Sequence, residues 1–215
     1  MKLLDEKAIP SPQQRPPEKK SGTRRSTMKN RETSTQILRE EHRLIESTIL
    51  AFTSIIRDLA AGTPPDRHRV WELAQSFKTY VQRCHHSKED FLLSMVRARG
   101  GSSTEYPFRT FYEEHHHIQS LLSDLAKGSH EYLEAFPGAP ESLVHSLRNV
   151  VDFYPGHMWK AEHLLFPLAD ELLSETDQGL LIQHFDWIES IVGAEINEEL
   201  RAIVAEFRPE PTRAA

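Results

Sequence analysis

Four stretches of this 215-residue sequence carry apolar residues three and four positions apart, and a histidine interrupts each stretch. That spacing predicts amphipathic helices whose apolar faces pack against one another. The interrupting residues are His42, His85, His115 and His157, and Glu89 follows His85 by one helical turn. The sequence is therefore constrained to fold as a bundle of helices with polar groups on their inner faces.

Turn-forming residues divide the chain into five predicted helices. Breaks fall at 62–65, 100–103, 128–129 and 137–140, with a weaker one near Ser174. The helices are expected at roughly 35–61, 66–98, 105–127, 141–172 and 176–206. The predicted fold class is all-α: an up-down-up-down four-helix bundle over residues 34–173, with an additional C-terminal helix over 174–207. That last helix is expected to pack on the bundle or to form the face of a homodimer.

Residues 1–33 differ in composition from the rest of the chain. They contain nine Lys or Arg, four Asp or Glu and four prolines, which predicts a disordered, basic, Pro-rich tail. Because the net charge of the whole chain is −6, the remainder is acidic, and we expect no specific nucleic-acid face there. No apolar run is long enough for a membrane span or a signal peptide, so a cytoplasmic protein is expected.

The histidine pattern is best explained by a metal. A buried polar group without a partner costs about 1–3 kcal/mol, and here four helices would each bear that cost. The single cysteine, Cys84, excludes an internal disulfide and a cysteine-based metal site. Imidazole and carboxylate donors without thiolate suit iron, zinc, manganese or copper better than calcium or magnesium. Iron is preferred, and zinc and manganese remain alternatives.

Other histidines fit other interpretations. Glu113-x-x-His116 and Glu114-x-x-His117 match the E-x-x-H motif of ferritin-like bundles, but that fold needs the motif on two helices and only one supplies it. His86 and His163 lie beside the apolar faces. They are expected to be solvated or to hydrogen-bond the residues that bind metal.

Taken in order, these strings resemble the hemerythrin-like, HHE cation-binding family. Its signature is a histidine on helix 1, H-x-x-x-E on helix 2, a histidine on helix 3, and a histidine followed by an acid on helix 4. The resemblance spans about residues 35–172. It implies terminal metal ligands at His42, His85, His115 and His157, and bridging carboxylates at Glu89 and Glu162.

The chain departs from that pattern at two places. Many members have the helix 4 acid four residues after its histidine. This chain has Ala161 at that position, and Glu162 follows at the fifth. Oxygen-carrying members have a second histidine on helix 3, and this chain has Gln119 there. One metal would then be under-coordinated, or completed by Glu46, Glu113 or water.

The resemblance implies a non-heme di-iron protein whose two iron ions are bridged by oxo, hydroxo or carboxylate groups. It would bind or react with dioxygen, peroxide or nitric oxide, for sensing, stress defence or detoxification. Whether it is an enzyme acting on peroxide or nitric oxide is left open. An alternative is an iron-handling or iron-sensing bundle without catalysis, acting through partner contacts. A metal-free helical interaction protein is the third alternative.

Overall fold

The computed structural model describes residues 32–100, 105–192 and 195–207, without the side chains of 105–107. Within these ranges the chain is helical and has no strand. The elements in chain order are α1 (Ser34–Ala60), α2 (Arg67–Thr79), a π-helical turn π1 (Tyr80–His85), α3 (His86–Gly100), α4 (Glu105–Leu133), α5 (Ala139–Lys160), a second π-helical turn π2 (Ala161–Leu165), α6 (Phe166–Leu172), α7 (Glu175–Val192) and α8 (Glu195–Glu206). The predicted tail at 1–33 lies outside the described residues, apart from 32 and 33.

Local sequence signals account for the helix starts. Thr33 accepts a hydrogen bond from the backbone N–H of Gln36, and the Gln36 side chain accepts one from the backbone N–H of Thr33. The Asp66 carboxylate accepts a hydrogen bond from the backbone N–H of Arg69 and so caps the start of α2. Gly138 precedes α5 with a φ of 76°, a left-handed conformation that glycine adopts without strain.

The long helices pack side by side around a common core. Helix α4 lies against α2 and α5, and α5 also lies against α1. Helix α7 packs on α3, and α8 packs on α2. Helices α7 and α8 therefore cover one side of the bundle.

Two apolar clusters fill the core, and they meet at the level of the histidines. Along α1, Leu38 belongs to one cluster and Leu44 to the other, with His42 between them. The same change of cluster occurs at His85 to Glu89, at His115 and at His157. The order of the two clusters reverses from each of these helices to the next. A polar layer therefore divides the core, with hydrocarbon above and below it.

The predicted helix break at Gly128-Ser129 is wrong, because α4 continues to Leu133. A Cβ atom at position 128 would lie 2.9 Å from Oγ of Ser146 on α5. The glycine thus permits close packing of two helices instead of ending one. The segment predicted as one helix over 176–206 is described as α7 and α8, with 193–194 outside the described residues.

None of the helices in the described ranges combines the length and the apolar character that a membrane span requires.

Candidate metal centre

The polar layer consists of five histidines and one glutamate. His42 comes from α1, His85 from π1, His86 and Glu89 from α3, His115 from α4 and His157 from α5. All six side chains belong to residues that are less than 5 % exposed. Their donor atoms form two groups, in each of which the atoms lie within 4.8 Å of one another.

The first group, here the three-histidine group, contains His86, Glu89, His115 and His157. Nε2 of His115 lies 2.9 Å from Oε2 of Glu89, and Nε2 of His157 lies 3.5 Å from the same oxygen. The rings of His86 and His115 stack with their centroids 4.0 Å apart. Four donors from three helices thus face one point.

The second group, here the two-histidine group, contains His42, His85 and again Glu89. Nε2 of His85 lies 3.9 Å from Oε2 of Glu89. The two rings are 4.9 Å apart between centroids, and His42 also stacks on Phe166 at 5.4 Å. Glu89 is therefore the one side chain that faces both groups.

A carboxylate holds the Nδ1 atom of four of these histidines. The pairs are His42 with Glu162 at 2.9 Å, His85 with Glu41 at 2.9 Å, His115 with Asp90 at 2.7 Å, and His157 with Glu114 at 3.0 Å. A carboxylate on Nδ1 fixes the ring orientation and raises the basicity of Nε2. The geometry therefore directs the Nε2 atoms inward as electron-pair donors.

Most of the inward-facing donors lack a protein partner. Nε2 of His42, His85, His86 and His157, and Oε1 of Glu89, are buried and have no hydrogen bond to any described residue. Each unsatisfied buried group costs about 1–3 kcal/mol, so five of them in one layer need a common cause. Cations bound in the two groups would satisfy all five atoms.

The pKa shifts of the histidines differ between the two groups. Burial and the charge of His85 lower the pKa of His42 to about 4. Burial alone would lower the pKa of His115, but its hydrogen bonds to Asp90 and Glu89 raise it to about 9. Burial would raise the pKa of Glu89, and the contacts from His115 and His157 instead hold it well below its usual range. Glu89 is thus an anion in the middle of the layer.

The π1 turn explains how one stretch of helix supplies three donors, His85, His86 and Glu89. The backbone N–H of His86 donates to the carbonyl of Val81, five residues back, so one extra residue is accommodated in the turn. Val81 within the turn and Glu89 after it are both fully buried. The extra residue brings His86 inward beside His85 without displacing the apolar residues that follow.

Five of the six residues predicted from the sequence meet in this layer: His42, His85, Glu89, His115 and His157. The sixth, Glu162, belongs to neither group. Its side chain is 35 % exposed and contacts Nδ1 of His42 from outside. The second π-helical turn, π2, begins at Ala161, the buried neighbour that occupies the inner position in place of Glu162.

Sequence reasoning missed His86, which it placed on a flank. The structure buries His86 and stacks it on His115. Glu46 and Glu113 are both exposed, and Glu113 pairs with Arg109. The i, i+3 spacing of His86 and Glu89 was the available signal, because that spacing also places two side chains on one helix face.

Two buried tyrosines come a few residues before histidines of the layer in the sequence. Tyr80 and Tyr154 are fully buried, and neither hydroxyl has a partner within the part of the chain that the structure describes. The Tyr154 ring meets His157 edge-on at 6.2 Å between centroids. Burial and the charge of Glu89 raise the pKa of Tyr154 well above its usual value, so this hydroxyl keeps its proton.

Cys84 is also near the layer, between Val81 and His85 in the sequence, and it is buried. Burial and the charge of Glu41 raise the pKa of its thiol to about 12. A thiol in that state is a poor metal ligand, because only the thiolate binds strongly.

Comparison with known proteins supports a cation-binding fold. The profile of the hemerythrin HHE cation binding domain matches residues 33–169, which is more than half of the chain. No curated protein and no solved structure gives a significant match. The matched range contains all six residues of the polar layer. The chain therefore belongs to the hemerythrin HHE cation-binding domain family.

Proposed function

We propose that this protein is a non-heme di-iron protein that binds or reacts with a small oxidant or diatomic ligand. The observation that carries the proposal is the set of five buried donor atoms without partners, arranged in two groups that share Glu89. One ion would be held by the three-histidine group and the other by the two-histidine group. Glu89 would bridge them, as carboxylates do in other di-iron bundles.

The proposed ligand set differs in one member from the set that the sequence implied. His86 joins His42, His85, Glu89, His115 and His157, because it is buried with an unpaired Nε2. Glu162 is assigned a supporting part instead, holding His42 by Nδ1. The antiparallel, up-down arrangement of four helices belongs to the same proposal. It is supported by the reversal of the two apolar clusters from helix to helix.

Iron is preferred over a closed, structural zinc site because of the number of protein donors. Nitrogen and oxygen donors suit both metals, but a structural zinc site closes with four protein ligands. The two-histidine group offers only three protein donors, which leaves positions for another ligand. When bound, iron would supply those open positions and a change of oxidation state.

The chain's own residues would prepare the site for such a ligand. Phe111 and Phe166 contact the rings of His157 and His42, which keeps bulk water away from them. The Tyr154 hydroxyl is a protonated donor without a partner among the described residues, suited to an oxygen or nitrogen atom of a small ligand. Four carboxylates contact Nδ1 of these histidines and are called here the outer carboxylates: Glu41, Asp90, Glu114 and Glu162. They would hold the imidazoles in place while the charge at the centre changes.

The test is a reaction with peroxide and with nitric oxide after anaerobic loading with Fe(II). We expect oxidised protein to show near-ultraviolet charge-transfer bands of a bridged ferric pair, and the Fe(II) protein to bind nitric oxide with a visible spectral change. Retention of iron without either reaction would favour the alternative, an iron-handling or iron-sensing bundle. A colourless protein with stoichiometric zinc would contradict both.

A further inference from the structure

A second buried charge cluster adjoins the metal centre on the side of α7. Lys88 on α3 is completely buried. Its Nζ donates to Oε1 of Glu41 on α1 and, at 2.6 Å, to Oε1 of Glu189 on α7. The ring of Phe185 lies 5.7 Å from the same nitrogen. Because a lysine is almost never fully buried without charged partners, these contacts fix the positions of three helices together.

Glu41 connects this cluster to the metal centre. Its Oε1 accepts from Lys88, and its Oε2 accepts from Nδ1–H of His85 at 2.9 Å. Burial would raise the pKa of Glu41, but the hydrogen bond from His85 and the charge of Lys88 lower it. A continuous chain of hydrogen bonds therefore runs from Glu189 through Lys88 and Glu41 to His85.

The other three outer carboxylates do not extend in this way. Glu114 pairs with Lys160 on α5, which is the helix that carries its own histidine, His157. Asp90 and Glu162 have no further ion pair among the described residues. Of the four histidines held by carboxylates among the described residues, His85 is thus the one whose carboxylate partner is linked to α7.

We propose that Lys88 and Glu189 are positioning residues that couple the docking of α7 to metal binding at the two-histidine group. The inference rests on the proposed function, since it needs an ion on His85. With a cation on Nε2, the Nδ1–H of His85 would donate a stronger hydrogen bond to Glu41, and Lys88 holds that carboxylate in place. Linkage is reciprocal, so the contact of Glu189 on α7 with Lys88 raises metal affinity, and bound metal strengthens that contact.

The chain offers a matched control on the same two helices. Arg99 on α3 donates to Asp177 on α7 at 2.5 and 3.2 Å, and neither residue has a hydrogen bond or ion pair to a described histidine. The side chains of Glu189 and Arg99 are similarly exposed, at 46 % and 54 %. Glu189→Gln and Arg99→Gln each remove one ion pair between α3 and α7, but only the first lies on the chain of hydrogen bonds to His85.

The experiment measures hydrogen exchange of α7 peptides and anaerobic Fe(II) titration in the full-length chain. In the wild type we expect iron to slow exchange in α7. In Glu189→Gln the iron at the two-histidine group should bind about fivefold more weakly, the low end of typical couplings, and the slowing of exchange should be reduced. In Arg99→Gln, α7 should exchange faster in all states while iron affinity and the slowing by iron are retained.

Two outcomes overturn the inference separately from the proposed function. A wild-type chain that takes up two iron ions with unchanged exchange in α7 contradicts the coupling alone. Equal behaviour of Glu189→Gln and Arg99→Gln does the same. A wild-type chain that takes up no iron contradicts the proposed function and this inference with it.

Discussion

The three-histidine and two-histidine groups share Glu89 but differ in donors and in charge. The first has four donors and includes His115, whose pKa is raised to about 9 by Asp90 and Glu89 against the effect of burial. The second has three donors and includes His42, whose pKa is lowered to about 4 by burial and by His85. In the metal-free protein at neutral pH, the first group therefore holds a proton that a metal must displace.

One bundle can thus hold two unlike metal positions. The first group is expected to bind its ion more tightly because it has one more protein ligand. The second is expected to bind less tightly and to leave more room for a small ligand.

The largest effect is expected from Glu89→Gln, because that carboxylate faces both groups. The variant keeps the shape of the side chain but removes the negative charge and one oxygen donor. We expect iron content to fall from about two per chain towards none. Elemental analysis after anaerobic loading measures it. Glu113→Gln, at an exposed glutamate, is the control and should bind iron normally. Full retention of both ions in Glu89→Gln would contradict a shared ligand.

His86→Ala should remove the ion from the three-histidine group and weaken the other ion only slightly. Loss of a tightly bound ion lowers apparent stability by about 4 kcal/mol at a thousandfold excess over Kd. In a chain of this size, that is roughly 8–16 °C in Tm. Scanning calorimetry with and without iron is the measurement.

His117→Ala is the control for His86→Ala, because His117 is exposed on α4. We expect it to change neither iron content nor stability. If His86→Ala also left both unchanged, His86 would be no more than a packed core residue. His85→Ala, in contrast, should lower metal content and thermal stability together.

The outer carboxylates should matter unequally. Glu114→Gln should weaken iron binding about 10–100-fold, the usual cost of losing such a partner. Glu162→Gln should cost less, since the Glu162 side chain is 35 % exposed and that of Glu114 is 12 % exposed. Competition with a calibrated chelator gives both affinities. A larger loss in Glu162→Gln than in Glu114→Gln would indicate that Glu162 binds metal directly.

The smallest effect is expected in the pH dependence of Tm in the metal-free protein. A raised pKa means that the folded state holds its proton more tightly than the unfolded state does. The contribution of His115 to stability is therefore fully present below about pH 6.5 and is lost as pH rises through about 9. Tm of the metal-free protein should fall by a few degrees over that range. His115→Gln should flatten this dependence, and an unchanged slope would contradict the assigned proton.

The same proton predicts how metal affinity depends on pH. Because the metal must displace it, affinity at the three-histidine group should rise with pH up to about 9. The two-histidine group should show a weaker dependence over that range, since His42 has already lost its proton.

Much of the fold was readable from the sequence because apolar spacing and turn residues are local signals. The helix starts and the inward phase of His115 follow from them. Gly128 misled the prediction because the sequence does not show that the glycine lies against Ser146 on another helix. Packing contacts of that kind depend on the three-dimensional neighbour, not on local propensity.

The centre was less predictable than the fold, for a related reason. His42, Glu89 and His157 lie in phase with regular helices, so the periodicity located them. His86 and Glu162 depend on two π-helical turns, which shift the helix phase by a residue and which regular 3.6-residue periodicity does not anticipate. The carboxylates on Nδ1, such as Glu41 and Asp90, pair with histidines on other helices and carry no spacing signal.

The most direct test of the account is the number of Fe(II) ions that the metal-free wild-type chain binds under anaerobic conditions. The account predicts about two per chain, with distinguishable affinities, because two groups of unequal donors share Glu89. Binding of a single ion, of two ions with identical affinity that persist in Glu89→Gln, or of none would contradict it.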